Sequence, residues 1–482
     1  MPASGIRRTK IVATLGPSWS DPARMAQLLD AGVNVVRVNA SHGTPEVRAR
    51  WIRDLQQVRA HRSAPVAILM DLQGPRIRVG GLAEPRELVV GQRVTFAPEE
   101  GATAAELPTT YAALARDVRA GSKILLDDGL LSVDVTGVRG DRVDGVVRYG
   151  GLLRAHKGMN LPGVDVSAPP VTEKDREDVR QAVALGVDYI GVSFVRRADD
   201  LAQIRALVPR RVQLVAKIEK DTALLNLESI LDAADAVMVA RGDLGVELPF
   251  EEVPLVQKRL IREANLRGKP VITATQMLES MVHAPRPTRA EASDVANAIL
   301  DGTDAVMLSA ETAVGDYAVE AVQAMDRIAR EVERQRKGRS AAFDLAVGRR
   351  TGGASDRFAQ RDARSEDAIA VAVCAASELL DTRVIVCFTS SGFTARTVAS
   401  FRPFVPIVAV TPEPDTHRAL ALVWGVTPVL VDHMPDYEAM LHVARAQLLA
   451  QGLVSPGDRV VVTAGVPFDV PGTTNLLKIE TV

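Results

Sequence analysis

Two apolar segments end in charged residues that could hold a metal ion beside an anion. The first ends in Lys217 and Glu219, and the second continues into Arg241 and Asp243. Lys217 and Glu219 are two residues apart, so on an extended strand their side chains point the same way. Carboxylate oxygens suit a hard divalent cation, and a nearby ammonium group suits a transferring anion. This pattern predicts a site for phosphoryl transfer or for enolate stabilisation.

Polar residues end other predicted strands as well. In chain order these residues are Arg37, Asn39, Ser41, Asp71, Thr275, Ser309 and Glu311. In a parallel barrel all of these strand ends meet at one face, where charge is typical of catalysis rather than of stability. Arg37 can form a two-pronged contact with a phosphate, and the backbone at Gly242 and Asp243 offers N–H groups to a carboxylate. We therefore expect one composite anion site at that face.

The placement of these residues depends on eight predicted strands. Short β-branched runs occur at 10–15, 33–39, 66–71, 189–194, 213–218, 236–240, 270–275 and 305–309. Segments with apolar residues at helical spacing lie between them, at 21–31, 45–60, 173–185, 252–267 and 288–300. Eight alternating strand and helix units predict a closed α/β barrel of the (β/α)8 type.

The alternation is interrupted once and later resumes in a separate unit. Short strands with Gly and Asp turns predict a small β-barrel lid domain at 75–164, inserted between barrel segments 1–74 and 165–338. A stretch rich in Arg, Gly and Ser at 339–364 predicts a linker, and 365–482 predicts a C-terminal α/β domain. The loop after strand 3 of a barrel lies on the catalytic face, so the insertion would cover the site.

Composition excludes several classes of protein. The 482 residues exceed the usual size of one hydrophobic core. A net charge of −2 gives no electrostatic footprint for nucleic acid or for an anionic membrane, so neither is an expected partner. No apolar run resembles a signal peptide or a membrane span, which predicts a cytoplasmic protein. Cys374 and Cys387 stand outside any CxxC or Cys/His cluster and are expected to be core residues, without zinc or a disulfide.

A set of segments together resembles the pyruvate kinase family. The segments are Thr9–Ser18, Arg37–Gly43, Asp71–Arg78, Lys157–Pro162, Ala216–Glu219, Met238–Gly245, Ile272–Met281, Pro285–Glu291 and Met307–Thr312. They run in family order across the barrel and the lid, and the last domain also looks like the family's. The resemblance implies conversion of phosphoenolpyruvate and ADP into pyruvate and ATP in glycolysis, by a homotetramer.

The resemblance also implies roles for individual residues. Lys217 would neutralise charge on the phosphoryl group in flight and on the enolate. Glu219 and Asp243 would bind Mg2+, with Mn2+ as an alternative metal, and Arg37 would hold the phosphate of phosphoenolpyruvate. The remaining residues are Gly242, Asp243 and Thr275 for the substrate carboxylate, and Thr275, Ser309 and Glu311 as candidates for proton transfer to the enolate carbon.

The resemblance also implies a site for the nucleotide and a site for K+ beside the phosphate of phosphoenolpyruvate. By resemblance, the residues at the nucleotide are Asn39, Ala40, Ser41, His42, Arg78 and Lys157, and those in the K+ region are Asn39, Ser41, Asp71 and Leu72. K+-dependent members carry Glu at the position of Arg76, and members with Leu and Gln at 72 and 73 and a basic residue at 76 do not need K+. Arg76 is always charged, so it would replace the ion. We expect a K+-independent enzyme.

A loop in the last domain has the composition of a phosphate site. It follows a predicted strand and precedes a helix, where hydroxyls and free N–H groups can surround an anion. A phosphorylated metabolite effector is expected there, and a plain helix cap is the alternative interpretation. Because Phe393 stands where effector-binding relatives often have a polar or basic residue, activation by fructose 1,6-bisphosphate does not carry over. The loop residues are Thr389, Ser390, Ser391, Gly392 and Thr394.

Two other functions are compatible with parts of this pattern. A barrel lyase that acts on an enolate with Mg2+ also pairs Glu with Asp, but it needs neither a lid with Lys157 nor the last domain. A degenerate kinase kept as a binding protein would have lost Lys217, Glu219 or Asp243. All three are present.

Overall fold

The computed structural model describes residues 6–19, 21–335, 364–433, 436–467 and 473–482. Strands and helices alternate from the amino-terminal end of the chain. The first elements are β1 (Lys10–Thr14), α1 (Pro22–Asp30), β2 (Val35–Asn39), α2 (Pro45–Ala60) and β3 (Ala67–Asp71). Both helices begin with Pro after a residue whose side chain accepts a backbone N–H, Asp21 for α1 and Thr44 for α2. Such caps satisfy N–H groups that have no partner inside a helix.

A small β unit follows β3. Its elements are β4 (Arg86–Leu88), β5 (Arg93–Pro98), β6 (Leu107–Thr109), α3 (Leu114–Asp117), β7 (Lys123–Leu126), β8 (Leu131–Arg139), β9 (Arg142–Tyr149), β10 (Gly151–Leu153) and β11 (Met159–Asn160). Six strands form a sheet in the order β11-β7-β8-β9-β5-β6, and β4 pairs with β10. Bridges from Arg78 to Gly158 and from Val79 to Thr109 connect one segment to both edges of that sheet, which closes it into a small barrel.

The chain then returns to the large barrel. The elements are α4 (Glu173–Ala184), β12 (Tyr189–Val192), α5 (Ala198–Arg205), β13 (Gln213–Ile218), α6 (Asp221–Leu225), α7 (Leu227–Ala233), β14 (Ala236–Ala240), α8 (Arg241–Glu247), α9 (Val253–Leu266), β15 (Val271–Ala274), α10 (Arg289–Asp301), β16 (Ala305–Leu308), α11 (Ala310–Ala313) and α12 (Ala318–Gln335). The hydrogen-bonded order β1-β16-β15-β14-β13-β12-β3-β2 confirms the predicted closed parallel barrel. Its strands are almost wholly buried because helices cover their outer face.

A second α/β unit ends the chain. Its elements are α13 (Ser365–Leu379), β17 (Ile385–Phe388), α14 (Phe393–Ala399), β18 (Ile407–Thr411), α15 (Pro414–Ala419), β19 (Val426–Leu430), α16 (Tyr437–Ala450), β20 (Arg459–Ala464) and β21 (Leu476–Thr481). The sheet order is β19-β18-β17-β20-β21, with only β21 antiparallel to its neighbour. This confirms the predicted α/β unit, although β21 was not among the predicted strands. Cys374 and Cys387 are buried free thiols, as expected.

Two further expectations concern the rest of the chain. The linker predicted at 339–364 lies outside the described residues except for Arg364. Among the helices that the structure describes, none combines the length and the apolar character needed to cross a bilayer.

The C-terminal unit closes the amino-terminal mouth of the barrel. Ala419, Ala421 and Leu422 pack in one buried cluster with inward-facing side chains of the barrel strands. The Tyr189 hydroxyl donates a 2.6 Å hydrogen bond to the carbonyl of Ala419. Asp304 accepts from the Arg402 guanidinium at 2.9 Å and from the Trp424 N–H at 3.1 Å. The barrel and the last unit therefore share one core at this end.

Lys10 is buried at this junction. Its Nζ donates to the carbonyl of Val426 at 2.8 Å. Burial lowers the pKa of Lys10 to about 7, with Arg7 adding to the effect and Glu333 and Asp304 opposing it. A backbone carbonyl is a weaker partner for an ammonium than a carboxylate, so the charged form is poorly stabilised.

We predict that Lys10 makes stability rise with pH. The folded protein releases this proton near pH 7, whereas the unfolded chain holds it up to the ordinary value of 10.5. Between these values the unfolded state binds more protons, so the free energy of unfolding should increase by up to about 1.4 kcal/mol per pH unit. Urea denaturation at several pH values from about pH 7 to about pH 9 gives the free energy of unfolding as a function of pH. This free energy should rise less steeply with pH in Lys10→Met than in the parent. Exposed Lys123→Met is the control, and equal slopes in both variants would contradict the assignment.

Candidate active site

A cavity of about 430 Å³ lies between the carboxyl-terminal face of the barrel and the lid. Barrel strand ends line one side of it, and the lid segment 156–160 lines the other. The predicted site residues that line it are Arg37, Asn39, Ser41, Asp71, Leu72, Arg76, Arg78, Lys157, Lys217, Glu219 and Asp243. The predicted residues outside its lining are Ala40, His42, Gly242, Thr275, Ser309 and Glu311.

Four charged side chains, three of them buried and Arg37 partly buried, form a continuous cluster in the wall of this cavity. Arg37 contacts Asp71 Oδ2 through Nε at 2.7 Å and Nη2 at 2.6 Å. Lys217 Nζ lies 2.9 Å from Glu219 Oε1, and 3.1 Å from Asp71 Oδ1 without hydrogen-bond geometry. Burial would lower the pKa of Lys217, but Asp71 and Glu219 outweigh it and raise the pKa above its usual value. Lys217 is therefore charged at neutral pH.

Ser193 is a site residue that the sequence analysis did not identify. It follows β12 directly, and its hydroxyl accepts from Lys217 Nζ at 2.7 Å and donates to the Leu72 carbonyl at 2.7 Å. The neighbouring N–H of Phe194 donates to Glu219 Oε2 at 2.7 Å. Its position after a barrel strand was the available signal, but a Ser carries no charge to draw attention to it.

The two predicted metal ligands face the cavity from adjacent strands. Glu219 follows β13, and Asp243 lies in the first turn of α8, directly after β14. Burial raises the pKa of Glu219 to about 7, with Lys217 opposing the shift and Asp243 adding to it. A cation here would relieve that repulsion. Among the described residues, no group of three or more His, Cys, Asp and Glu could hold a metal ion together. A pair of carboxylates suits Mg2+, which takes its further ligands from substrate and water.

In the segment expected to receive a substrate carboxylate, the polar groups are hydrogen-bonded to one another. The Thr275 hydroxyl accepts the Gly242 N–H at 2.7 Å and donates to the Ala274 carbonyl at 2.6 Å. Thr275 has a φ of 70°, which is unusual for a residue with a side chain. Arg241 donates to the Thr275 carbonyl at 2.7 Å and pairs with Asp294 at 2.7 Å, so it holds this turn in place.

Glu311 is buried behind the cavity. Its carboxylate accepts the N–H groups of Leu278 at 3.1 Å and Ser309 at 2.7 Å. Burial raises the pKa of Glu311. These contacts join the loops that follow β15 and β16, and the predicted role of Ser309 and Glu311 in proton transfer stays a prediction.

The turn after β2 is organised by its own polar groups. Asn39 Oδ1 accepts the Ser41 N–H at 3.0 Å, and the Ala40 N–H donates to the Asp71 carbonyl at 2.9 Å. His42 lies in the same turn. Burial lowers its pKa, and the charges of Arg76, Arg37 and Arg78 lower it further. This side of the cavity, where the nucleotide was predicted to bind, is thus positively charged.

The lid contributes a paired cation to the same side. Lys157 Nζ lies 2.7 Å from Asp127 Oδ1, and both residues belong to the lid. Asn160 of the lid donates to Glu247 of α8 at 3.3 Å, and Glu247 also pairs with Lys220, which follows Glu219. This contact connects the lid to the elements that carry both predicted metal ligands.

The predicted effector loop lies at the start of α14. Gly392 has a φ of 77° and its N–H donates to the Thr389 hydroxyl at 2.9 Å. The Ser390 carbonyl accepts from Thr416 at 2.7 Å. Thr394 is buried, and its hydroxyl lies 2.8 Å from that of Thr474. The Thr394 hydroxyl is therefore directed to Thr474 and not to the surface of the loop.

Comparisons with known proteins agree over nearly all of the chain. A family model described as pyruvate kinase, barrel domain, matches residues 6–322, and one described as pyruvate kinase, alpha/beta domain, matches 367–480. The pyruvate kinase of Geobacillus stearothermophilus is 46% identical over 99% of this chain and 80% of the relative. That of Clostridium acetobutylicum is 40% identical over 99% of this chain and 100% of the relative. A crystal structure of a pyruvate kinase from Cryptosporidium parvum has a TM-score of 0.91 at 33% identity and covers 98% of this chain and 96% of that chain.

Proposed function

This chain belongs to the pyruvate kinase family of phosphotransferases, and on that premise we propose that its barrel site transfers the phosphoryl group of phosphoenolpyruvate to ADP in glycolysis. The products are pyruvate and ATP. The observation that carries the proposal is Lys217, a buried and charged ammonium fixed between Asp71 and Glu219 at the wall of the cavity. A fixed positive charge of this kind stabilises negative charge that develops during phosphoryl transfer.

Arg37 and Lys217 divide the binding and the chemistry. The Arg37 guanidinium is already oriented by Asp71, so little rotational freedom is lost when it holds the phosphate of phosphoenolpyruvate. Ser193 and Glu219 orient Lys217 toward the transferring group and the enolate oxygen. Because both cations are held before substrate arrives, the site needs no rearrangement of charge at the moment of transfer.

Glu219 and Asp243 would hold Mg2+, with Mn2+ as an alternative metal. When bound, the ion supplies a Lewis acid for the substrate oxygens. The Phe194 N–H keeps Glu219 Oε2 in position. The chemistry of these two ligands matches an ion that keeps several sites for substrate and water.

The substrate carboxylate would bind at Gly242, Asp243 and Thr275. The Gly242 N–H and the Thr275 hydroxyl are paired with one another, so carboxylate binding exchanges one short hydrogen bond for new ones. Thr275, Ser309 and Glu311 remain the candidates for proton transfer to the enolate carbon, acting through water where they lie outside the cavity lining.

ADP would bind between the lid and the turn after β2. The residues are Asn39, Ala40, Ser41 and His42 of the turn, with Arg78 and Lys157. A barrel lyase that acts on one small enolate has no use for lid cations on the same cavity, which disfavours that alternative. A homotetramer in the cytoplasm completes the proposal. Phe250, Leu255 and Leu300 are apolar and exposed on the barrel surface, which suits subunit contact.

We predict that Lys217→Met lowers kcat by roughly 10²–10³ or more, because it removes a preorganised charge aimed at the transition state. Arg37 still neutralises Asp71, so the fold should persist and KM should change much less. Pyruvate formation and circular dichroism measure the two effects. Exposed Lys258→Met is the matched control. A folded Lys217→Met protein that turns over within a few-fold of the parent would refute the role assigned to Lys217.

We infer that this enzyme does not need K+. Arg76 lines the cavity, is exposed, and forms no ion pair within the part of the chain that the structure describes. Its charge reaches the turn after β2, since it contributes to the lowered pKa of His42. At about 6 Å and an effective dielectric of about 20, one unit of charge is worth roughly 3 kcal/mol, which is enough to disfavour a bound K+ and to replace it.

The corresponding prediction is full turnover with tetramethylammonium as the only added monovalent cation. K+ dependence should appear when Arg76→Glu is combined with Leu72→Thr and Gln73→Lys, because the replacement charge is then gone. Initial rates at constant ionic strength, with and without K+, measure both. Strong stimulation of the parent enzyme by K+ would mean that Arg76 points to solvent and does not substitute for the ion.

We also infer that a phosphorylated metabolite binds the loop formed by Thr389, Ser390, Ser391 and Gly392. Thr394, buried in the first turn of α14, belongs to the same site. The loop precedes α14 and carries three hydroxyl groups, and none of its own residues is a Lys or an Arg. A phosphate would compete with the internal bond from the Gly392 N–H to Thr389.

Ser391→Asp should abolish activation and leave turnover without effector unchanged. The added carboxylate repels a phosphate, and the loop is remote from the barrel site. Rates measured against a panel of phosphorylated metabolites test this, with Ser391→Asn as an uncharged control of similar size. An effector response of the Asp variant that matches the parent's would exclude this loop as the binding site.

A further inference from the structure

A second cavity, of about 230 Å³, lies at the opposite end of the barrel from the active site. Gln213, Asp235 and Lys269 line it from the amino-terminal side of the barrel, and Arg396 and Thr397 line it from α14. The cavity therefore lies between the barrel and the C-terminal unit.

Two cations in this cavity have no carboxylate partner. Lys269 Nζ donates to the Ala234 carbonyl at 2.6 Å, and Arg396 packs against Gly392, where an added Cβ would come within 2.9 Å of its Nη1. Within the part of the chain that the structure describes, neither Lys269 nor Arg396 forms an ion pair.

The carboxylates nearby are already paired with other cations. Asp235 pairs with Arg205. Arg267, which also lines the cavity, is shared among Glu228, Asp232 and Glu263, and Arg364 at the cavity edge pairs with Asp367. The positive charge that remains in the cavity belongs to Lys269 and Arg396.

Burial makes this charge costly. It lowers the pKa of Lys269, and Arg396 and Arg364 lower it further against the opposing effect of Asp235 and Asp232. Burial also lowers the pKa of Arg396. Two like charges in a partly buried space destabilise the folded protein unless an anion enters with them.

We propose that this cavity is a binding site for a small phosphate monoester. A guanidinium presents two parallel N–H donors to a phosphate, and an ammonium on the opposite wall supplies a second charge. The volume exceeds the needs of a bare oxyanion and leaves space for a short hydroxylated carbon chain beside Gln213 and Thr397. A bound phosphate would connect Lys269 of the barrel to Arg396 of α14 and so strengthen the junction of the two units.

This site is separate from the proposed effector loop. Thr389, Ser390, Ser391 and Gly392 do not line the cavity. Arg396 approaches the loop at Gly392. The two sites can therefore be disabled independently.

Thermal unfolding of the full chain tests the proposal. The Tm is measured in inorganic phosphate, in glycerol phosphate and in chloride, at the same ionic strength. In chloride, Arg396→Gln and Lys269→Gln should be as stable as the parent or more stable, because each removes one of two unneutralised charges. In phosphate the order should reverse. Each variant should need at least a tenfold higher phosphate concentration for the same rise in Tm, since it loses a hydrogen bond to a charged group.

Three further variants separate this site from the others that accept phosphate. Arg37→Gln in the active site and Ser391→Asp in the effector loop should keep the stabilisation that depends on Arg396. Exposed Arg327→Gln controls for a general loss of positive charge. A parent-like phosphate response in both cavity variants, or an equal loss in Arg327→Gln, would overturn the proposal. If Arg396→Gln does not fold, Lys269→Gln alone decides between the outcomes.

Discussion

The active site depends on mutual neutralisation of four charged side chains. Burying an isolated ionised side chain costs several kcal/mol even after relaxation, so the pairing of Arg37, Asp71, Lys217 and Glu219 stabilises each of them. Asp71 is the member that contacts both cations. Arg37 lies in β2 and Asp71 in β3, whereas Lys217 lies in β13 and Glu219 follows it directly. These strands come together only when the barrel is closed. Fold and site are thus coupled, because the barrel brings the charges together and the charges are stable only inside it.

Strand β12 connects this cluster to the other end of the molecule. At its amino end the Tyr189 hydroxyl binds the Ala419 carbonyl, and the preceding Asp188 pairs with Arg418 at 2.7 Å. At its carboxyl end Ser193 binds Lys217. Four residues of strand span about 13 Å, and an extended chain cannot lengthen. The position of Lys217 is therefore tied to the docking of the C-terminal unit through one short element.

The barrel and most of the cavity lining could be predicted from the sequence because their signals are local. A β-branched run that ends in charge marks both a strand and its functional end, as at Lys217 and Asp71. Ser193 could not be identified as a site residue in this way, because a Ser after a strand is also common in a turn or a helix cap. The pairing of Lys220 with Glu247, across 27 residues, has no local signal. Strand β21 also lacked one, since its exposed residues alternate only weakly between apolar and polar.

Backbone conformation set a further limit on prediction. Gly242 was expected to offer a free N–H to a carboxylate, yet that N–H donates to the Thr275 hydroxyl. The contact exists because Thr275 adopts a positive φ, a state that propensity does not predict for a β-branched residue. Such strain is found where the surrounding structure fixes a residue from several sides. Here Arg241 does so by binding the Thr275 carbonyl.

Two buried lysines and one partly buried lysine illustrate how the chemistry of the partner decides what burial does to a charge. Lys217 faces two carboxylates, and its pKa is raised. Lys10 and Lys269 donate to backbone carbonyls, at Val426 and Ala234, and their pKa values are lowered. A carbonyl dipole satisfies the hydrogen bond without neutralising the charge, whereas a carboxylate does both. The lysine with a raised pKa therefore lies at the carboxyl-terminal face of the barrel. The two with lowered pKa values lie at the amino-terminal face, where Lys10 binds the C-terminal unit and Lys269 lines the cavity between the two units.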